Sequence, residues 1–287
     1  MGMGGVGEKG CKPNSALTSQ VLLIRHAQSL YNEKSLQLKA QDSGSEEYKL
    51  NAMDVSMRDC NLSEAGLTQT KNLQEQINLL NIRIVLVSPL KRALSTAYHL
   101  FCEHPNFENI QFIVVPEIRE IFRSFGSVPG NTKKVLKKFK GKFPCFDTSH
   151  LEEECSDTTM DNEKYSCKYL KDKFLPELRA FEDEDLSTMD EDEILNSVKK
   201  KILEKYPDAI EAAEEVDNRV HTAKLIVKKY LATLPKSDSD PPKMMIVSHH
   251  HFIVEYLGLK KSRQGGTVPN CTIINDPTDY FEIIDDL

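Results

Sequence analysis

Four short runs along the chain are apolar with almost no alternation: VLLI at 21–24, IRIVLV at 82–87, IQFIVV at 110–115 and MMIV at 244–247. A strand without polar alternation has both faces covered, the pattern of a parallel sheet layered by helices. A fifth run, CTIIN at 271–275, reads as an edge strand. Helical patterns lie between them. Residues 62–80 (LSEAGLTQTKNLQEQINLL) open on Ser63, a good N-cap. A second helix is expected to start at Ser88-Pro89, a cap residue followed by proline in the first turn. Residues 208–234 form a long amphipathic run. Strands alternating with helices predict right-handed βαβ units. The fold class is therefore α/β, a three-layer α/β/α sandwich around a mostly parallel central sheet.

Two regions stand outside this pattern. Residues 34–60 are polar and read as a loop. Residues 122–193 begin with a basic stretch, KKVLKKFKGK at 133–142, and end on an acidic one, EDEDLSTMDEDE at 182–193. They read as an inserted cap over the strand ends, partly helical and partly mobile, and the basic stretch as a solvated face, with a role toward anionic substrates as the alternative. Residues 1–20 are rich in Gly and polar residues and are expected to form a flexible tail, leaving 21–287 as a single domain.

Composition narrows the function classes. A net charge of −7 argues against nucleic-acid binding, which relies on clustered positive charge. The seven cysteines include no C-x-x-C pair and are odd in number, so neither a zinc site nor a complete disulfide framework is expected, and a cytoplasmic, reducing location fits. No apolar run approaches the length of a membrane span, and no secretory signal is expected. Gly2 suggests N-myristoylation, but Val6 stands where Ser or Thr is wanted, so a plain tail is the simpler reading.

Each of the four strand-like runs is followed by a charged or polar group: Arg25 and His26, Arg92, Glu120, and His249. In an open parallel sheet, ligands bind just beyond the carboxyl ends of the strands, so these groups are expected to share one crevice. Two guanidinium forks match the oxygens of a phosphate. A neutral imidazole can attack phosphorus, and a carboxyl group can protonate the leaving oxygen. Phosphoryl transfer through a phosphohistidine uses this set. The run His249-His250-His251 raises the question of a metal. Adjacent residues of extended chain point to opposite faces, so only His249 and His251 could share an ion, with no acidic or Cys partner close in sequence. No metal and no cofactor are expected, and His250 and His251 read as pocket rim or packing.

The segment Arg25-His26-Ala27-Gln28-Ser29-Leu30-Tyr31-Asn32 resembles the signature of the histidine phosphatase superfamily, the phosphoglycerate mutase-like proteins. Ala27 stands where that family usually has glycine. Leu62-Ser63-Glu64-Ala65-Gly66 resembles the start of its next helix, and Ser88-Pro89-Leu90-Lys91-Arg92 its second phosphate-binding segment. Ser248-His249 resembles its second histidine segment, although His250-His251 replace what are more often two glycines. The resemblance implies that His26 is the phosphorylated nucleophile and His249 the second pocket histidine. It implies that Arg25 and Arg92 clamp phosphate oxygens and that Asn32 donates a further hydrogen bond. Ile118-Arg119-Glu120 resembles the acid segment and makes Glu120 the proton donor, with Glu117 as rival.

The implied activity is a metal-independent phosphomonoesterase acting on a small phosphorylated substrate or a phosphoprotein. A phosphoglycerate mutase is the first alternative. That subfamily carries a Trp before the signature Asn and an N-E-R-H-Y-G acid segment, whereas this chain has no Trp and reads E-I-R-E-I-F. The second alternative is a non-catalytic phospho-ligand-binding or scaffold protein, against which stand both histidines and both arginines.

Overall fold

The computed structural model describes residues 17, 19–51, 54–127, 146–153, 211–236, 240–259 and 268–278. Its strands are β1 (Val21–Arg25), β2 (Ile82–Val87), β3 (Gln111–Val114), β4 (Phe146–Asp147), β5 (Lys243–Ser248) and β6 (Ile273–Asn275). They form a sheet of order β4-β3-β2-β5-β1-β6. Every pairing is parallel except that of β1 with the edge strand β6, which is antiparallel. Register places Arg25 opposite Ser248 and Val87 opposite Val247, so β1, β5 and β2 end together.

Alternate residues of each strand enter different cores. On one face Leu22, Ile24, Val85, Val87, Met245 and Val247 pack with Ala93, Leu94, Ala97 and Phe101 of the helix α4 (Lys91–Phe101). Ile77 of α3 (Glu64–Asn78) joins that cluster. On the other face Val21, Leu23, Ile84, Leu86, Met244 and Ile246 pack with Val216, Val220 and Val227 of α6 (Ala213–Leu231). Phe252, Ile253 and Tyr256 of α7 (His250–Tyr256) complete that side. A strand buried on both sides has no face left for polar residues, which is why the four runs show no alternation. The expected three-layer α/β/α sandwich is what the described residues form.

Three local expectations change. Residues 34–60 are largely helical: α1 (Leu30–Asp42) and α2 (Glu46–Asn51) occupy much of the region read as a loop. Only Leu38 of α1 is buried, so that helix carries no apolar stripe to reveal it. It starts instead on a capping box in which the Ser29 hydroxyl accepts from Asn32 N–H and the Asn32 side chain accepts from Ser29 N–H. The helix expected from Ser88-Pro89 is capped at Leu90, which has no side-chain cap. Its Lys91 N–H is satisfied by Asp59 Oδ1 at 2.7 Å. Asp59 reaches it from a left-handed backbone, φ 42°, which Asp tolerates better than most residues. Within residues 122–193, β4 joins the sheet beside β3, and the short helix α5 (Ser149–Glu153) follows it. The basic stretch 133–142 and the acidic stretch 182–193 lie outside the described residues. Of residues 1–20, Leu17 packs against the α3/α4 core, and Ser19 binds Asn275 Oδ1 through its N–H.

Candidate active site

The aligned ends of β1, β2 and β5 bring Arg25, His26, Arg92 and His249 into one crevice, with Glu120 on its wall. His26 follows β1 directly, and its N–H donates to Ser248 O at 2.8 Å, which ties it to the end of β5. Its ring is buried, 2 % exposed. Nδ1 lies 2.7 Å from Ala27 O, and Nε2 lies 3.0 Å from Arg92 Nε. A carbonyl only accepts and a guanidinium only donates, so these partners assign the proton to Nδ1 and a lone pair to Nε2. Burial, then the charges of Arg92, His249 and Arg25, hold the ring well below its ordinary pKa, and it is neutral near neutral pH.

His249, fully buried, sits with its ring centroid 5.0 Å from that of His26. Its Nε2 is 2.7 Å from Ser88 Oγ, while Nδ1 has no hydrogen-bond partner among the described residues. Burial pushes this ring down too, with Arg92 and Arg25 acting in the same sense and Glu120 opposing. Arg92, in the first turn of α4, is 5 % exposed and also donates from Nη1 to Gly126 O. Arg25 donates from Nη1 to Val268 O at 2.6 Å, and its Nε is a second buried atom without a partner among the described residues. Burial lowers the Arg25 guanidinium to about 10, so it stays charged at neutral pH. Buried polar atoms are nearly always paired. Both orphans belong to side chains of this one crevice.

Asn32 is held by its carbonyl oxygen, which accepts from Ser29 N–H, Ser29 Oγ–H and Asn270 Nδ2–H. That set fixes the amide orientation and leaves Nδ2 as the donor to be used. Ala27 adopts ordinary backbone, because Asp59 and Cys271 are the non-glycine residues with positive φ among those described. Its N–H binds Thr96 Oγ1 at 3.0 Å, so alanine sits in place of the usual glycine without strain. Gly66 allows α3 to approach the signature loop, since a Cβ there would lie 2.1 Å from Gln28 O.

Glu120 is 7 % exposed. Its Oε1 accepts from the N–H groups of Ile121 at 2.9 Å and Phe252 at 3.2 Å, and its Oε2 is 3.3 Å from His251 Nδ1. Burial alone would raise this carboxyl. The hydrogen bond from His251 and the positive charge facing it, Arg92 included, outweigh burial and hold it well below the ordinary carboxylate range. The turn that carries it is pinned from behind. Arg119 meets Glu211 in a two-point bridge at 3.0 and 2.9 Å, and Arg219 bonds both oxygens of the same carboxylate at 2.8 and 2.9 Å. Arg219 Nη1 further donates to the carbonyls of Glu117 and Arg119, and Ser248 Oγ to that of Ile118. The backbone carbonyl of Glu117, the rival acid, holds α6, and the carboxylate of Glu120 accepts from Phe252 of α7.

The His249 to His251 run is the start of a helix rather than extended chain, so strand alternation does not describe it. His249 bonds Ser88, His250 Nδ1 accepts from Val268 N–H, and His251 meets Glu120. Three groups escaped sequence reasoning: Asn270, which also donates to His26 O at 2.8 Å; Glu211; and the contact of His251 with the acid. The first two come from segments with no motif, and only folding brings them to the site.

Among solved structures the chain is similar to mycobacterial glucosyl-3-phosphoglycerate phosphatase, at 18 % identity and TM-score 0.43 over 89 % of this chain and 88 % of that one. It is similar to the alpha-ribazole phosphatase of Shigella flexneri, at 15 % identity and TM-score 0.43, covering 88 % and 87 %. It is also similar to the phosphoglycerate mutase of Bacillus anthracis, at 14 % identity and TM-score 0.44, covering 91 % of each. No curated protein sequence matches it. Residues 21–166, from the first strand through the signature, the second arginine and the acid segment, match the histidine phosphatase superfamily (branch 1), and the chain belongs to that family.

Proposed function

We propose that the protein is a metal-independent phosphomonoesterase that works through a phosphohistidine and needs no cofactor, acting on a small phosphorylated substrate or a phosphoprotein. The observation that carries this reading is the state of His26: neutral, with Nδ1–H held on the Ala27 carbonyl and the Nε2 lone pair directed at Arg92. A phosphate arriving there exchanges its oxygens for the Arg92–His26 bond, and Nε2 then faces phosphorus. Arg25, Arg92, His249 and Asn32 neutralise and orient the phosphate oxygens, so catalysis rests on positioning and fixed charge. Nε2 forms the N–P bond as the ester P–O bond breaks, and Glu120 delivers a proton to the departing oxygen. Water then attacks phosphorus, gives a proton to Glu120, and releases inorganic phosphate as the N–P electron pair returns to His26.

Glu120 is a carboxylate in the free protein. An incoming phosphate offsets the positive charge that holds its pKa down, so substrate binding itself favours protonation of the acid. The absence of Trp and the E-I-R-E-I-F acid segment favour hydrolysis over mutase transfer. The test is turnover of an aryl phosphate by the wild type and by His26→Ala, with release of inorganic phosphate as readout. Wild-type hydrolysis that survives excess EDTA, yields to vanadate and is lost in His26→Ala is expected. Near-wild-type activity in His26→Ala would sink the mechanism.

A further inference from the structure

We infer that His251 is the proton conduit of the acid, passing protons between solvent and Glu120 Oε2; this rests on the phosphomonoesterase reading above. Glu120 must gain a proton when substrate binds, yet its carboxylate is enclosed. Oε1 is occupied by the Ile121 and Phe252 N–H groups, which can donate but carry no exchangeable charge. Oε2 is therefore the oxygen that takes the proton, and the side chain seen on it is His251, Nδ1 at 3.3 Å. The two partners differ in access to water: the Glu120 side chain is 9 % exposed and that of His251 37 %. Imidazole has a separate proton site at each end of its ring, which suits it to carry a proton across such a boundary.

The step balances within the pair. A proton from hydronium or a buffer acid, which leaves as water or the buffer base, adds at His251 Nε2; the Nδ1 proton passes to Glu120 Oε2, and the ring is left neutral with its proton on Nε2. The charged and titratable groups around the pair are Arg92 of α4, Arg25 of β1, Arg219 of α6, and His249 and His250 at the start of α7. Arg25 is lowered by burial only to about 10 and stays charged at neutral pH. His249 and His250 are both held below the ordinary imidazole range, chiefly by burial. His250 Nδ1 is also occupied by Val268 N–H. Neither is poised to replace His251.

The experiment compares His251→Gln with wild type on an alkyl and an aryl phosphate from about pH 5 to 8. Gln keeps an amide donor for Oε2 but transfers no proton. A positioned proton donor is worth roughly 10²–10⁴-fold where the leaving oxygen is poor. We expect kcat on the alkyl ester to fall about 10- to 100-fold at neutral pH and to recover as the pH is lowered. The aryl ester should be much less affected, and its turnover in the same sample reports an intact site. Imidazole added to His251→Ala should restore part of the alkyl activity, which a packing role would not produce. Alkyl turnover by His251→Gln that matches wild type at every pH would overturn the inference, because the proton then arrives with the substrate's own phosphate. Equal loss on both esters without imidazole rescue would overturn it as well. If His26→Ala is inactive while His251→Gln is unaltered, the conduit alone falls. If wild type hydrolyses neither ester, the phosphatase reading falls and the conduit with it.

Discussion

Replacing Glu211 with Gln should cost the protein stability in a pH-dependent way. The Glu211 side chain is 1 % exposed and lies between the guanidinium groups of Arg119 and Arg219. Burial raises its carboxyl, but the two arginines overcome this and bring it from 4.5 to about 2. At about 1.4 kcal/mol per pH unit, that difference is worth about 3 kcal/mol at neutral pH. Because the folded-state value is the lower one, the stabilisation is complete above about pH 4.5 and is lost as the pH falls through about 2. The Gln variant also leaves Arg119 and Arg219 facing one another without the charge between them, and breaking a buried ion pair costs about 3–5 kcal/mol. The chain has no Trp, so urea unfolding is best followed by far-UV circular dichroism. A deficit of about 3 kcal/mol at neutral pH should shrink as the pH drops below the ordinary carboxylate range. A deficit under about 1 kcal/mol, the worth of a surface pair, or one independent of pH, would mean that the two arginines do not hold Glu211 as a buried carboxylate.

Arg92→Lys should lower turnover at least about 100-fold, because a point charge replaces neither the fork on phosphate nor the Nε donor facing His26. Unchanged kinetics would remove Arg92 from phosphate binding. Glu120→Gln should slow alkyl phosphate hydrolysis far more than aryl phosphate hydrolysis, since an activated phenolate needs no acid, while Glu117→Gln should do little to either. The opposite pattern would make Glu117 the proton donor.

The elements legible in the chain are those whose pattern is imposed by burial. β1, β2, β3 and β5 are covered on both faces, and their unbroken apolar runs say so. Ser63 caps α3 within its own segment and is readable for the same reason of locality, its hydroxyl accepting from Gly66 N–H. Where an element depends on a distant partner, local reading fails. The cap of α4 is Asp59, thirty-two residues before Lys91, and nothing at Ser88-Pro89 announces it. Helix α1 is started by its capping box and buries one side chain, so hydrophobic periodicity passes over it. The site divides in the same way. Arg25, His26 and Asn32 lie within eight residues of one signature, whereas Asn270 and Glu211 act on the site through bonds spanning 244 and 92 residues. The charge state of Glu120 depends on burial set against Arg92, His249 and His251, a balance that exists only after folding.

The bonds at Glu211 tie the start of α6 to the turn that carries Glu120. Phe122 N–H donates to Glu211 Oε2 at 3.1 Å, and Glu211 N–H returns to Phe122 O at 3.4 Å. Phe122 and Glu211, 89 residues apart, are therefore stapled to one another. Arg119 and Phe122 on one side of that gap and Glu211 and Arg219 on the other act as a single splint behind Glu120. Loosening either half of the splint frees the turn that carries the Glu120 carboxylate.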